Sequence, residues 1–415
     1  MSKGDILIGI DIGTSAVRTI ISQKQADSSS PLVLGIGVAN SFGINNGVIV
    51  DIEETVNAIN ESKEQAERMA GVPVEHAYIS ISGNHISSQF SKGVVAVSRA
   101  DGEISEEDVN RVITASQAIS MPSNKEIIDV IPCSYTIDGQ EQIKDPIGMN
   151  GVRLEVNSLV VQGSIPFIKN LYKCIQRCGI DVDDLVFSPL AVAKAVLSKR
   201  QKELGAVSID IGKGTTGISV FEDGNILCSV VIPIGAGHIT NDIAIGLRTS
   251  IDVAEKIKLE YGVAVSADVN KKDKVDLSSI DKKEEGSFTR KYVAEIIEAR
   301  VEEIFEMVDK ELKKIDKSGM LPAGAVITGG GAKMAGIVPV AKEILRLPAQ
   351  IGFPIELNGI VDRVDDPSFA TAIGLIMWEA DENGNFSSSN NSRFKLPSFG
   401  GIGQKVRKIF KTFLP

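Results

Sequence analysis

Residues 8–15 read I-G-I-D-I-G-T-S, and residues 208–216 read S-I-D-I-G-K-G-T-T. Each is a run of apolar residues with an aspartate near its end, followed by a turn of glycine and hydroxyl residues. A second β-run follows each turn, at residues 17–21 and 217–221. We therefore predict two β-hairpins, roughly 200 residues apart, in two halves of a duplicated fold.

The residues of these two turns suit the phosphates of a nucleoside triphosphate and its Mg²⁺. Glycines let main-chain amides approach phosphate oxygens, hydroxyls donate hydrogen bonds, and carboxylates sit near the metal. Mg²⁺ gives up its waters reluctantly, so we expect Asp11 and Asp210 to hold it through water. The predicted phosphate contacts are Gly13, Thr14, Ser15, Gly212, Gly214, Thr215 and Thr216. A single turn of this kind is common in β-hairpins and is weak evidence of function. The prediction of a nucleotide site depends on the presence of two copies in the same order.

A third glycine cluster lies at residues 325–334, which read A-V-I-T-G-G-G-A-K-M. The pattern predicts a strand, then bare backbone, then the start of a helix. Gly329, Gly330 and Gly331 would let a base or ribose lie against the main chain, with Lys333 close by. The alternative is a tight strand-to-helix turn, which seldom needs three adjacent glycines.

Length and composition indicate a folded globular protein. At ~150 residues per domain, 415 residues suffice for two to three domains. The apolar share of 43% and charged share of 24% exclude wholesale disorder. A net charge of −10 argues against general nucleic-acid binding. The three histidines lack metal-ligand spacing, and we predict structural roles for them.

The end of the chain has the opposite charge. After Glu382 there are six basic residues and no acidic one. Residues 381–399 are polar and of low complexity at their start, which predicts a disordered linker. In residues 400–415, here called the tail, apolar residues recur as on one helix face, at Ile402, Val406, Ile409, Phe410, Phe413 and Leu414. The basic residues Lys405, Arg407, Lys408 and Lys411 take the other side.

This pattern is typical of a helix that lies in the plane of a membrane surface. Five of these six apolar side chains, half buried, would supply on the order of 4–7 kcal/mol. Four basic residues near an anionic leaflet add at most ~1 kcal/mol each. One tail should therefore bind reversibly, and several tails on one assembly would bind stably. The alternative is that the tail docks on its own body or in a partner's groove.

Together the two hairpins and the third glycine cluster resemble the actin-like ATPase superfamily. Within it, residues 232–249, I-P-I-G-A-G-H-I-T-N-D-I-A-I-G-L-R-T, are similar to the FtsA family of bacterial cell division proteins. The resemblance covers nearly the whole chain. It implies an α/β, actin-like two-lobed fold of duplicated ribonuclease H-like domains, with ATP in the cleft between the lobes. It also implies adenosine contacts from Gly237, Glu255 and Lys258, although the last two would equally suit an ordinary ion pair on a helix face.

The chain departs from the superfamily pattern near the phosphates. The second hairpin usually reads D-I-G-G-G-T-T-D, and here Lys213 and Gly217 replace a glycine and the final aspartate. Lys213 could lie near phosphate or point to solvent. A lysine often follows the first turn, where Arg18 is the nearest cation. A glutamate or glutamine that orients water is often found where this chain has Ser188, so we expect tight nucleotide binding and slow hydrolysis.

The resemblance also implies a division into subdomains. The first actin-like subdomain would comprise residues 1–82, 163–195 and 349–380, and the second would comprise 196–231 and 296–348. An inserted α+β subdomain at 83–162 would make filament and partner contacts, and a smaller subdomain at 232–295 would bind the tubulin-like division protein FtsZ on the adenosine side. The implied function is an ATP-binding protein that polymerises, tethers FtsZ filaments to the cytoplasmic face of the membrane through the tail, and recruits later division proteins.

Two alternatives remain open on sequence alone. A small-molecule kinase of the same superfamily would need a second substrate pocket and would have no use for a membrane helix. An actin-like adaptor of pilus or secretion machinery would bind ATP and a membrane partner but would lack its own amphipathic tail.

Overall fold

A computed structural model describes residues 6–25, 28–355, 358–359 and 364–382. The predicted tail and all of the predicted linker after Glu382 lie outside these residues. Helix is continuous to Glu382, so a linker can begin no earlier than residue 383. No helix within the described ranges is long and apolar enough to cross a membrane.

The chain alternates strands and helices. In chain order the strands are β1 Ile6–Ile12, β2 Ala16–Gln25, β3 Ser28–Asn40, β4 Ile44–Asn45, β5 Val48–Ile49, β6 His76–Ile81, β7 Ser87–Ala96, β8 Lys125–Ile137, β9 Gln140–Ile143, β10 Arg153–Ser164, β11 Asp181–Phe187, β12 Ala206–Ile211, β13 Thr216–Glu222, β14 Asn225–Ile232, β15 Lys274–Asp276, β16 Ser287–Thr289, β17 Gly324–Thr328, β18 Ala349–Ile351 and β19 Asn358–Gly359. The helices are α1 Ile52–Ala70, α2 Glu106–Ser116, α3 Ile165–Arg177, α4 Ser188–Val196, α5 Lys199–Leu204, α6 Ala236–Leu247, α7 Ile251–Tyr261, α8 Leu277–Ile280, α9 Arg290–Lys314, α10 Ile337–Leu345 and α11 Ala370–Glu382.

The first lobe is built on a mixed sheet in the order β11-β6-β1-β2-β3-β19. Strands β1, β2 and β3 are antiparallel, and β6 and β11 join in parallel. Strand β1 is almost wholly buried because helices cover the sheet. Asp51 caps α1 by accepting a hydrogen bond from the Glu54 amide, and Gly71 ends the helix in the left-handed conformation.

The second lobe repeats this arrangement in the order β14-β13-β12-β17-β18. Strands β12, β13 and β14 are antiparallel, and β17 and β18 join in parallel. Helix α9 starts at a Thr289 cap and buries one stripe of its surface against this lobe. The duplicated α/β fold predicted from the two hairpins is confirmed.

The insert, residues 83–162, adds a separate antiparallel sheet in the order β7-β10-β8-β9. Helix α2 begins with a capping box in which Ser105 and Asp108 each bond the other's main-chain amide. The helix packs on β7 and β10 around a small core of its own. On its other side the insert contacts the second lobe, where the Ser88 hydroxyl donates to the Ser229 carbonyl on β14. The insert therefore contacts both lobes.

Candidate functional site

The first hairpin joins β1 to β2 and carries Asp11 opposite Arg18 in the ladder. The Gly13 amide donates to the Ala16 carbonyl at 3.2 Å and closes the turn. Asp11 is only 9% exposed. Its Oδ1 accepts a hydrogen bond of 2.9 Å from the Ser80 hydroxyl, and its Oδ2 lies 3.8 Å from the Arg18 guanidinium. The carboxylate is thus held in one orientation at the end of a buried strand.

The second hairpin joins β12 to β13 and carries Asp210 opposite Gly217. The Gly212 amide donates to the Thr215 carbonyl at 2.9 Å, which repeats the closure of the first turn. The amides of Ala236 and Gly237, at the start of α6, donate to the carbonyls of Gly212 and Lys213 at 2.8 and 2.7 Å. The second turn is therefore fixed against the N-terminal end of a helix.

The two aspartates interact electrostatically. Burial and the negative charge of Asp11 together raise the pKa of Asp210 to about 7, and Arg18 opposes the shift. Burial also raises the pKa of Asp11, against the opposing effects of Arg18 and Ser80. Because Arg18 lowers the pKa of both carboxyl groups and Asp11 raises that of Asp210, the three side chains are electrostatically linked.

These residues fit a divalent cation and a nucleotide. Two buried carboxylates that repel each other supply the oxygen donors that Mg²⁺ prefers, and a cation would relieve their repulsion. The Arg18 Nε is buried without a hydrogen-bond partner among the described residues. Its guanidinium carbon lies 5.5 Å from the centre of the Phe369 ring. A buried donor of this kind favours an anionic partner in the cleft.

The hydroxyls of the turns differ in availability. Thr14 Oγ1 accepts a hydrogen bond from the Gly47 amide at 3.1 Å, which leaves its own proton free to donate. Ser15 is exposed, and Thr215 is partly exposed at the second turn. Thr216 is fully buried and donates to the Ile234 carbonyl at 2.7 Å. We therefore leave the Thr216 hydroxyl out of the phosphate contacts proposed below, because it already has a partner inside the lobe.

Residues predicted to contact adenosine cluster on α6 and α7. Lys258 Nζ donates to Glu255 Oε2 at 2.7 Å and to Thr240 Oγ1 at 2.8 Å. Glu255 is under half exposed, while Lys258 is buried. Burial raises the pKa of Glu255, but hydrogen bonds from Lys258 and Thr240 and the charge of Lys213 outweigh it, so the pKa is lowered. Lys213 is exposed at the second turn, and its charge contributes to the lowered pKa of Glu255.

The third turn, residues 329–334, has a different reason for its glycines from the one predicted. A methyl group at Gly329 would lie 2.2 Å from Asp210 Oδ1, and one at Gly331 would lie 2.5 Å from Ile211 Cγ2. These two glycines are required because the turn packs on the end of β12. Open space adjoins only Gly330, where a methyl group would meet nothing within 4 Å. The turn therefore both supports Asp210 and leaves a bare surface at Gly330.

Lys333 joins this turn to the first lobe. Its ammonium group forms an ion pair with the Asp366 carboxylate, which caps the turn before α11. The Thr328 hydroxyl and the Gly329 amide both bond the Pro367 carbonyl, at 3.0 and 3.1 Å. A cavity of about 500 Å³ opens beside the ion pair, lined in part by Met334, Ile337 and Phe353.

Two of the departures from the superfamily pattern, at Gly217 and Ser188, have structural correlates. A Cβ atom at Gly217 would lie 3.0 Å from the Pro189 ring, so the aspartate usual at this position would require the ring to shift by a few tenths of an ångström. Ser188 is buried at the start of α4, and its hydroxyl donates to the Ile81 carbonyl at 3.1 Å. This hydroxyl is committed to the main chain.

Sequence reasoning missed several residues of the site. Ser80 orients Asp11 from the neighbouring parallel strand β6, and Thr240 completes the Glu255–Lys258 cluster. The Asn46–Gly47 turn touches both hairpins. An Asn-Gly pair is the strongest short hairpin signal and could have been found. Ser80 could not, because no local pattern shows that β6 pairs with β1.

Solved structures with the same architecture define the class. MreB5 of Spiroplasma citri bound to AMPPNP aligns with a TM-score of 0.55 at 14% identity, over 93% of this chain and 99% of that one. The PilM-PilN type IV pilus biogenesis complex aligns with a TM-score of 0.67 at 15% identity, over 90% of this chain and 98% of that one. The fold is the two-lobed actin-like fold, as predicted.

Sequence comparison narrows the class to one family. Cell division protein FtsA of Pseudomonas aeruginosa is 38% identical over 91% of this chain and 90% of its own length. FtsA of Bacillus subtilis is 40% identical over 91% of this chain and 84% of its own length. FtsA of Escherichia coli is 33% identical over 90% of this chain and 90% of its own length. The family model for cell division protein FtsA matches residues 207–374, and the model for the SHS2 domain inserted in FtsA matches residues 83–162. The chain belongs to the FtsA family of cell division proteins.

Proposed function

We propose that this chain binds Mg²⁺-ATP between its lobes and works as a nucleotide-dependent, polymerising link between the membrane and FtsZ filaments of the division ring. The observation that carries the proposal is the pair of equivalent hairpins, which end in the buried Asp11 on one lobe and the partly buried Asp210 on the other, with the charge of Asp11 raising the pKa of Asp210. Two adjacent buried anions are costly unless a cation joins them. A solved relative in fold, MreB5, is described as bound to AMPPNP.

The proposed contacts follow from the groups that remain available. Asp11 and Asp210 would hold Mg²⁺ through water, and the metal would neutralise phosphate charge. The main-chain amides of the two turns, with the hydroxyls of Thr14, Ser15 and Thr215, would hold phosphate oxygens. The Glu255–Lys258 pair and the bare surface at Gly330 would contact ribose and base.

Hydrolysis is expected to be slow. The Ser188 hydroxyl already donates to the Ile81 carbonyl and has no carboxylate or amide with which to orient an attacking water. We expect turnover below ~1 per second, which is the low end for enzymes. Ser188→Ala should change the rate less than about threefold and lower the free energy of unfolding by ~1 kcal/mol. Phosphate release and urea unfolding measure the two effects. Turnover well above this limit, or a large loss of rate in Ser188→Ala, would contradict the assignment.

The remaining parts of the proposal rest on the family and on the sequence. The insert would make filament contacts, residues 232–295 would bind FtsZ, and the tail would attach the filament to the membrane. A filament presents many tails at once, which raises their effective concentration at the surface. Later division proteins would join the same assembly.

Electron microscopy on lipid monolayers tests the proposal as a whole. With Mg²⁺-ATP the full chain should form filaments on an anionic monolayer and retain FtsZ there, and the chain without residues 400–415 should do neither on the lipid. Membrane attachment that survives the truncation would contradict the proposed role of the tail. Phosphoryl transfer to small sugars or acids would favour the kinase.

A further inference from the structure

The short hairpin formed by β4 and β5 turns at Asn46 and Gly47, between the two lobes. Ile44 pairs with Ile49 and Asn45 with Val48, which leaves a two-residue loop. Both loop residues have positive φ, 48° at Asn46 and 76° at Gly47, as a tight Asn-Gly turn requires. The turn has little freedom to adjust, because its two residues are fixed by the pairing on either side.

This turn contacts both phosphate hairpins. The Gly47 amide donates to Thr14 Oγ1 of the first hairpin at 3.1 Å. On the second hairpin, a methyl group at Gly214 would lie 2.6 Å from Asn46 Oδ1 and 2.8 Å from Asn46 Cα. The main chains of Gly214 and Asn46 are therefore in direct contact across the cleft. A separation of the hairpins by even 1 Å would forfeit much of this contact.

The same turn also contacts the base of the insert. A methyl group at Gly47 would lie 2.8 Å from Gly83 Cα and 2.9 Å from the Ser82 carbonyl oxygen. Beyond Gly83, the His85 ring packs on Phe167 at 5.0 Å between ring centres. Gly83 itself has a φ of 126°, so the chain enters the insert through a backbone conformation that favours glycine and that touches the turn. The far side of the insert contacts the second lobe through a hydrogen bond from the Ser88 hydroxyl to the Ser229 carbonyl.

We propose that the Asn46–Gly47 turn couples the two phosphate hairpins to the base of the insert, so that the nucleotide state sets the position of the insert. The inference rests on the proposed nucleotide site and adds to it a route by which that site reaches a distant surface. Thr14 can accept from Gly47 and donate to a phosphate oxygen at once, because a hydroxyl is both acceptor and donor. Phosphate bound at the first hairpin would thereby strengthen the bond to the turn.

Hydrogen exchange of the full chain, with and without Mg²⁺-ATP, tests the coupling. In the native chain we expect nucleotide to slow exchange at least fivefold in both hairpins and in residues 83–96. Gly47→Ala should keep the response of the hairpins and a nucleotide affinity within about threefold, but lose the response of residues 83–96. The matched control is Gly71→Ala, which has a similar φ of 68° and nothing within 4 Å of the added methyl group. It should keep both responses.

The outcomes separate the two proposals. If neither region responds in the native chain, the nucleotide site and the coupling both fail. If the hairpins respond and residues 83–96 do not, or if Gly47→Ala keeps the full response, only the coupling fails.

If Gly47→Ala does not fold, a second pair of variants tests the contact between the turn and the second hairpin. Asn46→Asp keeps the shape of the side chain but sets a negative charge against Gly214, where phosphate is proposed to bind. It should weaken Mg²⁺-ATP binding about tenfold, while Asn45→Asp, with the same charge on the exposed neighbour, should change it less than twofold. Equal affinities for the two variants would overturn the contact between the turn and the phosphate site.

Discussion

Asp210→Asn is expected to lower the affinity for Mg²⁺-ATP at least tenfold while raising the melting temperature of the ligand-free protein. Asparagine has the same shape but no charge, so it cannot hold the waters of Mg²⁺ as a carboxylate does. In the ligand-free protein the same change removes a buried anion that the charge of Asp11 opposes. Calorimetry should therefore show a weaker affinity and thermal unfolding a higher melting temperature for the same variant. A misfolded variant would show a lower melting temperature instead.

The pH dependence of binding follows from the same carboxyl group. Its pKa is raised from 3.8 in an unfolded chain to about 7 in the folded one. The folded state therefore binds more protons between these values, and the contribution of this group to stability falls as pH rises toward 7. Mg²⁺ needs the ionised form, so nucleotide binding should release a proton near pH 6.5 and strengthen up to about pH 8. Asp210→Asn should abolish the proton release measured in buffers of different ionisation enthalpy.

Asp223→Asn is the matched control for this variant. Asp223 is exposed in the turn between β13 and β14, at the opposite end of the β12–β13 hairpin from Asp210, and asparagine tolerates its φ of 54°. It should bind Mg²⁺-ATP as the native chain does and show the same proton release. Unchanged affinity in Asp210→Asn would remove this residue from the site.

The core of the site was predictable from sequence because it repeats. Asp11 and Asp210 each come near the end of a β-run and before a glycine turn, and the two strands are the centres of equivalent sheets. A duplicated fold places equivalent strands face to face across its cleft. Two similar local patterns therefore predicted that residues distant in sequence would lie near each other. The Glu255–Lys258 pair required the family resemblance, since its spacing alone equally fits a surface ion pair.

What could not be predicted depends on contacts between elements that are far apart in sequence. The Thr216 hydroxyl has the right chemistry for phosphate, but the segment that follows the neighbouring strand β14 offers it the Ile234 carbonyl. Gly329 and Gly331 suggest an open ligand surface, yet they are glycines because β12 lies against them. In both cases the residue type was informative and the partner was set by tertiary packing.

Phe410→Glu in the tail is expected to release the protein from vesicles of phosphatidylglycerol and phosphatidylethanolamine. The change removes half the burial of a phenylalanine, ~1–1.5 kcal/mol, and adds the cost of a carboxylate at an anionic surface. A loss of ~2 kcal/mol corresponds to about 30-fold in the binding of one tail. Because a filament binds through many tails, the loss multiplies, and cosedimentation of the polymer should fall to the level of protein without vesicles.

Gln404→Glu separates the apolar contribution from charge. Gln404 lies opposite the apolar face on the proposed helix, and this substitution adds the same negative charge without removing apolar surface. It should weaken vesicle binding by ~1 kcal/mol or less, about fivefold, and should respond to salt more than Phe410→Glu does. If the two variants lost binding equally, charge and not the apolar face would attach the tail. If both stayed bound, the tail would have to lie against protein, and the membrane link would need another part of the chain.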